Sequence, residues 1–155
     1  MPTTDMAMLY YNSFIQSVVD HTIDLENDTI NCALFTAAHV PSATDTTFAA
    51  LTGETLNANG YASGGKAIGT KTWTNKPGTN DYVLDGDDVV WTATGGTIVA
   101  KYYVMYSATA TGNDLIAYGF LDAVGQDEKT TPDTRTLTLQ WHPDGVIDVN
   151  AYDTL

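Results

Sequence analysis

The feature that most constrains the fold of this chain is a succession of short segments rich in β-branched and aromatic residues, each bounded by Gly, Pro, Asn or Asp. β-branched and aromatic residues favour strands, whereas the bounding residues favour turns. The predicted strands are 28–36, 67–74, 82–84, 89–94, 97–107, 115–121, 134–141 and 146–149. The sequence therefore predicts a mainly β fold, an antiparallel β-sandwich or jelly-roll-like domain, with one N-terminal helix.

Two of these segments have patterns that predict which side chains are buried. In the first, Ile30, Cys32 and Leu34 alternate with a set that is also largely apolar, which predicts a central strand buried on both faces. In the tyrosine-rich strand, the set predicted to face the core is Ala100, Tyr102, Val104 and Tyr106. The alternate set then places Lys101 and Tyr103 toward solvent or toward an interface.

The opening segment has a helical pattern. Apolar residues recur at intervals of three and four in two stripes, which are Tyr10, Phe14, Val18 and Tyr11, Ile15, Val19. This spacing predicts a helix over about 7–19. We expect the helix to pack across one edge or end of the sheet, or to dock on a neighbouring copy.

A long stretch after the first strand lacks strand patterns. Residues 39–65, called the excursion below, are rich in Thr, Ala and Gly, with Pro41 near the start and Asn59-Gly60 near the end. One short helical turn is predicted around 48–51. Loops of this length without regular structure are usually functional or held by a partner, so we expect the excursion to be available for contacts.

Length and composition favour one domain, 1–155, because 155 residues with 43% hydrophobic content suffice for a single core. Nineteen acidic residues against six basic ones give a net charge of −13, which repels nucleic-acid phosphates and anionic lipids. We therefore expect no direct nucleic-acid partner and no membrane partner. Most of the acids are Asp, so turn chemistry is the preferred explanation of the charge. The alternative is an acidic face that binds a basic partner or maintains solubility.

Cysteine content and hydropathy limit the chemistry further. Cys32 is the single cysteine, which excludes an intramolecular disulfide and a cysteine-based zinc cluster. Its apolar surroundings predict a buried side chain. No stretch approaches the roughly 20 apolar residues of a membrane helix, and the N-terminus lacks the pattern of a signal peptide. We expect a soluble protein made in the cytoplasm.

No motif in the sequence indicates catalysis. His21, His39 and His142 are far apart, and the chain lacks both a nucleophile elbow and a phosphate-binding loop with its lysine. A turn of Pro, Asp and Gly explains the surroundings of His142. The sequence therefore predicts no catalytic residue and no cofactor, and the chain is not expected to be an enzyme.

Two acidic groups have the oxygen ligands that Ca²⁺ prefers. Asp85, Asp87 and Asp88 form the denser group, but their spacing departs from that of an EF-hand loop. The second group is Asp24, Glu26 and Asp28. These residues are two apart, so on a strand all three carboxylates would lie on one side. Solvated turns and edges are the preferred explanation of both groups, and no metal site is predicted.

Aromatic residues are numerous enough to form either a sugar-binding platform or part of the core. They are Trp73, Trp91, Trp141, Tyr102, Tyr103 and Tyr106. Aromatic faces stack on sugars, but aromatic residues also bury large areas and tolerate partial exposure. The core explanation is preferred.

Six motifs follow one another over about 14–142. They are Thr22-Ile23-Asp24-Leu25, Asp28-Thr29-Ile30, Ala33-Leu34-Phe35-Thr36, Gly60-Tyr61 with Gly64-Gly65, Asp87-Asp88-Val89-Val90-Trp91, and the tyrosine-rich strand 102–106. In this order and at this spacing they resemble a family of accessory virion structural proteins of tailed bacteriophages, the small β-rich capsid decoration, neck and tail proteins. Cys32 and Phe35 stand where plain aliphatic residues are expected in that family.

The resemblance implies a component of the virion. The function it favours is that of a capsid decoration or cement protein, made in the host cytoplasm and located on the capsid surface. The implied partners are the major capsid protein or other virion proteins and further copies of the chain, with a trimer among the candidate homo-oligomers. The interface residues proposed on this basis are Tyr10, Tyr11, Phe14, Phe48, Leu51, Lys101 and Tyr103.

Two other functions stay open at this point. A tail, neck or fibre component that recognises a host-surface glycan predicts exposed Trp or Tyr side chains. A carbohydrate-active enzyme predicts a pair of carboxylates in a cleft.

Overall fold

The computed structural model describes residues 8–79, 81–122 and 124–150. Its strands are β1 (Leu9–Tyr10), β2 (Ile30–Phe35), β3 (Lys66–Ala67), β4 (Thr72–Asn75), β5 (Asp81–Asp85), β6 (Val89–Thr92), β7 (Ile98–Ala100), β8 (Tyr102–Ser107), β9 (Leu115–Phe120), β10 (Lys129–Thr131), β11 (Thr136–Leu139) and β12 (Ile147–Asn150). Its helices are α1 (Asn12–Val19) and one 3-10 helix (Phe48–Ala50). The predicted fold class, mainly β with an N-terminal helix, is confirmed.

The largest sheet has five antiparallel strands in the order β1-β9-β8-β2-β3. β2 and β8 pair along their whole length, from Ile30 opposite Ser107 to Phe35 opposite Tyr102. β2 has neighbours on both sides, as predicted for a strand with two apolar faces. This sheet is the base on which the rest of the chain packs.

Three smaller antiparallel sheets complete the strand structure. β4, β5 and β12 form a sheet in the order β12-β5-β4, while β6 pairs with β11 and β7 with β10. Strands β1 and β10 were not predicted, because each is only two or three residues long and forms through pairing with a distant strand.

The main core lies between one face of the five-stranded sheet and the smaller sheets. Its buried residues include Cys32, Leu34, Tyr103, Met105 and Ile116 from the large sheet and Leu84, Val89, Trp91, Ile98 and Leu139 from the smaller ones. Two layers of strands that share one apolar core form a sandwich-like arrangement. The prediction that Cys32 is buried is confirmed.

The central strands are buried on both faces. In β8, however, the side chains that face the main core are not the set predicted from the sequence. Tyr102, Val104 and Tyr106 lie in a second apolar cluster on the far side of the sheet from the main core. Tyr103 and Met105 belong to the main core, and Tyr103 is only 1% exposed. The prediction that Tyr103 faces solvent or an interface is therefore wrong.

A bend at Lys101 explains this error. The predicted strand 97–107 is divided into β7 and β8, and Lys101 lies between them outside either strand. Its backbone N–H donates to the carbonyl of Phe35, and its carbonyl accepts the N–H of Leu121. Ala100 before the bend and Tyr103 after it both face the main core, so the bend shifts the alternation by one residue.

The N-terminal helix is shorter than predicted. Residue 7 lies outside the described residues, and Leu9 and Tyr10 form β1, paired with β9. α1 begins at Asn12 because the backbone before it is already bonded to the sheet, including the Tyr11 N–H donated to the Ile116 carbonyl at 3.1 Å. Of the two predicted stripes, Phe14 is buried in the main core, whereas Ile15 and Val19 on the other stripe are exposed.

The excursion, which the structure describes throughout, lacks strands and contains one short helical turn, as predicted. The 3-10 helix Phe48–Ala50 lies where the short helical turn was predicted, and the described residues 39–65 contain no strand. Isolated bridges join Thr47 to Asp114 and Glu54 to Phe35. The excursion is therefore attached to the five-stranded sheet at several points along its length.

Candidate interaction surface

The side of the five-stranded sheet that faces away from the main core is rich in aromatic residues. This surface, called the aromatic face, consists of Tyr11, Ala33, Phe35, Tyr102, Val104, Tyr106, Leu115, Tyr118 and Phe120. The strand register arranges them in rows: Phe120, Tyr102 and Phe35 lie side by side, as do Tyr118, Val104 and Ala33. Neighbouring strands thus present one continuous apolar layer.

Ring contacts connect the members of this layer. Tyr102 lies 5.0 Å from Phe120 between ring centroids, and Tyr11 lies 4.9 Å from Tyr118. The Lys101 ammonium lies 5.6 Å from the centre of the Tyr102 ring, a cation–π contact at the border of the face. Aromatic pairs of this kind contribute roughly 0.5–1.5 kcal/mol each beyond their buried area.

The excursion covers the aromatic face through its 3-10 helix. The Phe48 ring stacks on Tyr106 with centroids 4.1 Å apart and planes 18° apart, and it meets Phe35 edge-on at 5.9 Å. Leu51 packs on the same cluster. Phe48 and Leu51 remain partly exposed, so they form both the cover of the aromatic face and part of the outer surface.

His39 is the polar residue enclosed between the excursion and the sheet. It is 3% exposed, with its ring 4.5 Å from Phe35 and 5.9 Å from Tyr102. Its Nδ1 lies 2.9 Å from the Thr52 carbonyl oxygen, so Nδ1 bears the proton. Nε2 is buried and has no hydrogen-bond partner among the described residues. Burial lowers the pKa of His39, and the bond to Thr52 and the charge of Asp45 oppose that shift.

A hydrogen-bonded network fastens the later part of the excursion. The Glu54 carboxylate accepts the Tyr61 hydroxyl at 2.7 Å and the Gly64 N–H at 2.6 Å. The Tyr61 oxygen accepts the Leu34 N–H at 3.0 Å, and the Tyr106 hydroxyl donates to the Gly64 carbonyl at 2.8 Å. Burial, and then the bond to Glu54, raise the pKa of Tyr61. The network therefore fixes the excursion to β2 and β8.

The outer side of the excursion exposes large aliphatic side chains. Val40 is 82% exposed and Leu56 is 74% exposed. Both lie in the excursion, whose inner side is packed and hydrogen-bonded as described above. The result is a fixed loop with two prominent apolar side chains at its surface.

Many carboxylates cap turns, which supports the preferred explanation of the acidic composition. Asp24 accepts the N–H groups of Glu26 and Asn27, and Asp133 accepts the Gly95 N–H at 2.8 Å. Asp122 accepts the Lys129 ammonium and two backbone N–H groups, which lower its pKa to about 2. These bonds fit the role of Asp in turns.

The group Asp24, Glu26 and Asp28 does not have the strand-like alternation that was predicted. These residues lie in a turn in which the Asp28 N–H donates to the Asp24 carbonyl. The Lys71 ammonium donates to the carbonyls of Leu25, Glu26 and Asp28. A lysine thus occupies the oxygen-rich side of this turn.

The other acidic group is divided among three partners. Asp85 accepts the Gly86 N–H, Asp87 accepts the Thr70 hydroxyl at 2.7 Å, and Asp88 accepts the Trp141 N–H at 3.0 Å. Within residues 8–79, 81–122 and 124–150, no group of three His, Cys, Asp or Glu residues is arranged to bind a metal ion.

The tryptophans differ in their surroundings. Trp91 is fully buried in the main core, as preferred from the sequence, and Trp141 is partly buried and donates from Nε1 to the Asp87 carbonyl. Trp73 on β4 stacks on the exposed Tyr82 of β5 with centroids 5.8 Å apart. Trp73 and Tyr82 are called the aromatic pair below.

The structure brings together only some of the predicted interface residues. Tyr11, Phe48, Leu51 and Lys101 lie on or beside the aromatic face. Phe14 and Tyr103 are buried in the main core instead. Tyr10 lies on β1, 41% exposed, with its ring stacked on Phe14 at 5.4 Å.

Sequence reasoning missed the structural roles of His39 and Glu54. His39 was judged by its distance from the other histidines, whereas its role comes from packing against Phe35 and Tyr102. Glu54 is one of only three glutamates and occurs within a stretch rich in Thr, Ala and Gly. That isolated acidic residue was the feature that could have identified it.

Comparisons with protein families, with curated proteins and with solved structures found no match to this chain. Among the helices in the part of the chain that the structure describes, none combines the length and apolar character needed to cross a membrane.

Proposed function

We propose that this chain is a non-enzymatic structural protein of a phage virion, a capsid decoration or cement protein that binds major capsid subunits through the excursion. The observation that supports this most directly is the exposure of Val40 and Leu56 on a loop whose inner side is fastened to the aromatic face. Large aliphatic side chains in such positions gain free energy when a partner covers them. The ordered motifs that resemble accessory virion proteins suggest the class of partner.

The fixed excursion reduces the entropic cost of binding. Because Phe48, His39 and Tyr61 already hold the loop against the sheet, little ordering is needed when a partner binds. Full burial of a Val or Leu side chain contributes about 1.5–3 kcal/mol. Contacts of this size are weak singly, but a homo-oligomer of the chain would bind a repeating shell through several of them at once.

The acidic charge suits the same function. A net charge of −13 favours a basic partner surface and opposes non-specific association of free copies. We propose that the recognised capsid surface is apolar at its centre, where it meets the excursion, and basic around it.

Binding to particles that lack the protein tests this proposal. We expect the double variant Val40→Asp with Leu56→Asp to lose at least tenfold in affinity, because both substitutions place a charge where apolar burial is needed. The charge-matched control is Val19→Asp with Val124→Asp, since these side chains are 66% and 75% exposed but lie outside the excursion. Bound copies are counted after sedimentation of the particles, with circular dichroism as the check on folding.

Unchanged binding of the double variant would contradict the proposal. Equal loss in the double control, Val19→Asp with Val124→Asp, would also contradict it, because the effect would then reflect added charge and not the excursion.

A tail, neck or fibre role in glycan recognition is the second candidate, favoured by the aromatic pair. Tyr82 is 46% exposed and stacked on Trp73, and exposed aromatic rings of this kind bind the apolar faces of sugars. This function predicts that host-surface polysaccharide quenches tryptophan fluorescence in the wild-type chain and not in a Tyr82→Ser variant. Absence of quenching in the wild type would eliminate it.

A further inference from the structure

Strand β4 forms an open edge of its sheet. It comprises Thr72–Asn75 and pairs with β5 alone among the described strands. Three of its four side chains are exposed, and none is charged. Open edges are usually shortened or charged, as they are in β3, with two residues including Lys66, and in β12, which contains Asp148. β4 has neither protection. The edge strand β11 is also uncharged, but two of its four side chains are buried, whereas three of the four in β4 are exposed.

The direction of the backbone groups on this edge follows from the pairing. The Lys76 N–H donates to the Asp81 carbonyl, so Lys76 and, by alternation, Thr74 and Thr72 exchange hydrogen bonds with β5. The intervening residues, Trp73 and Asn75, direct their N–H and C=O groups away from β5. The Leu84 carbonyl, opposite Trp73, accordingly accepts a bond from the β12 side, from the Val146 N–H.

We propose that two copies of this chain associate through β4, antiparallel about a two-fold axis at Thr74. Trp73 of each copy then lies opposite Asn75 of the other, and these two residue pairs form four backbone hydrogen bonds. Thr74 lies opposite its own counterpart, a favourable cross-strand pair. The β12-β5-β4 sheets of the two copies join into one six-stranded sheet, and the shared interface is self-complementary.

This arrangement also covers part of the aromatic pair. Trp73, Asn75 and Tyr82 share one face of the sheet, since Asn75 pairs with Tyr82 and alternates with Thr74. Across the two-fold axis, Trp73 of one copy lies beside Asn75 of the other on that face. The pair from each copy thereby becomes part of one continuous row of side chains.

The charges next to this edge do not oppose a second copy. β4 itself contains no acidic residue, and Lys71 and Lys76 directly flank it. Lys71 donates to backbone carbonyls, and Lys76 pairs with Asp144 and Asp148. The acidic side chains nearest this end of the sheet are thus partly neutralised, which reduces the repulsion between two copies with a net charge of −13 each.

Cysteine cross-linking of the purified full-length chain tests this inference without any virion and so independently of the proposed function. Thr74→Cys places the two thiols opposite each other at a non-hydrogen-bonded position, where Cα atoms lie about 4.5 Å apart, within reach of a disulfide. The native Cys32 is buried. The control is Thr138→Cys, at an exposed threonine of β11. We expect covalent dimers in Thr74→Cys alone, and no larger covalent product.

Light scattering after size exclusion gives the second measurement. The wild type is expected at twice the chain mass of 16.6 kDa, and Thr74→Lys is expected at the monomer mass, because like charges would lie opposite each other. Thr138→Lys is the charge-matched control and should stay dimeric. A monomeric or trimeric wild type, an uncross-linked Thr74→Cys chain, or a dimer unaffected by Thr74→Lys would overturn the inference.

Discussion

At the scale of single residues, His39 links the stability of the covered aromatic face to pH. Its Nδ1 donates a hydrogen bond to the Thr52 carbonyl, and its Nε2 is buried without a partner among the described residues. Protonation would place a charge on a buried ring that packs against Phe35 and Tyr102. The cost of burying that charge exceeds the attraction of Asp45, since burial is the larger effect and lowers the pKa of His39.

We expect the free energy of unfolding to fall as the pH falls below about 6.5, the ordinary histidine pKa. In that range His39 is protonated in the unfolded chain but still neutral in the folded chain, because its pKa is lower in the folded chain. The unfolded chain therefore binds more protons, so acid favours unfolding. Urea denaturation at pH 7.5 and pH 5.5 measures the change. His39→Gln should have a smaller pH dependence than the wild type. His21→Asn, at an exposed histidine, should keep it, and an unchanged slope in His39→Gln would contradict the assignment.

At the scale of elements, the excursion depends on close contact between its end and β2. Gly65 has φ +72°, and a Cβ atom there would overlap the carbonyl oxygen of Cys32. Backbone can approach β2 this closely only at a residue without a side chain. Gly78 has a similar φ of +83° but open space around it. An alanine at Gly78 would therefore have the conformational strain alone, whereas an alanine at Gly65 would have both the strain and the steric overlap.

Gly65→Ala is expected to destabilise the protein substantially more than Gly78→Ala. The left-handed conformation alone costs an alanine about 1–2 kcal/mol, which is the expected loss for Gly78→Ala. Gly65→Ala adds the displacement of the excursion from β2. Thermal unfolding of both variants measures the difference, and similar melting temperatures would show that the close approach contributes little.

The elements also show how far the sequence alone can predict this fold. Segments with turn residues at both ends, such as β2, β5 and β9, were located because their pattern is local. The start of α1 was misplaced because Leu9 and Tyr10 pair with β9, about a hundred residues away in sequence. The burial of Tyr103 was missed because the bend at Lys101 depends on bonds to Phe35 and Leu121. Contacts distant in sequence leave no periodic pattern.

The candidate surface was also only partly predictable, because some of its contacts join residues that are distant in sequence. Phe48 and Leu51 were identified because a long stretch without strand pattern is unusual in a compact domain. Their partners on the aromatic face, Tyr106 and Phe35, depend on which side of the sheet the excursion crosses. That side follows from strand order, which the sequence pattern did not specify.

At the scale of the whole molecule, the two proposed interfaces are separate and compatible. The excursion covers the outer side of the five-stranded sheet, whereas β4 belongs to the sheet that packs against the main core. A dimer through β4 would present two excursions, each with its own Val40 and Leu56. Two linked sites bind a repeating shell more tightly than either alone when their spacing matches the lattice.

Cryo-electron microscopy of the virion that contains this chain tests the central proposal most directly. We predict density for many copies distributed over the icosahedral shell, with the excursion and its residues Val40 and Leu56 against major capsid subunits. Density confined to the neck or tail, or absence of the chain from the particle, would contradict the proposed function.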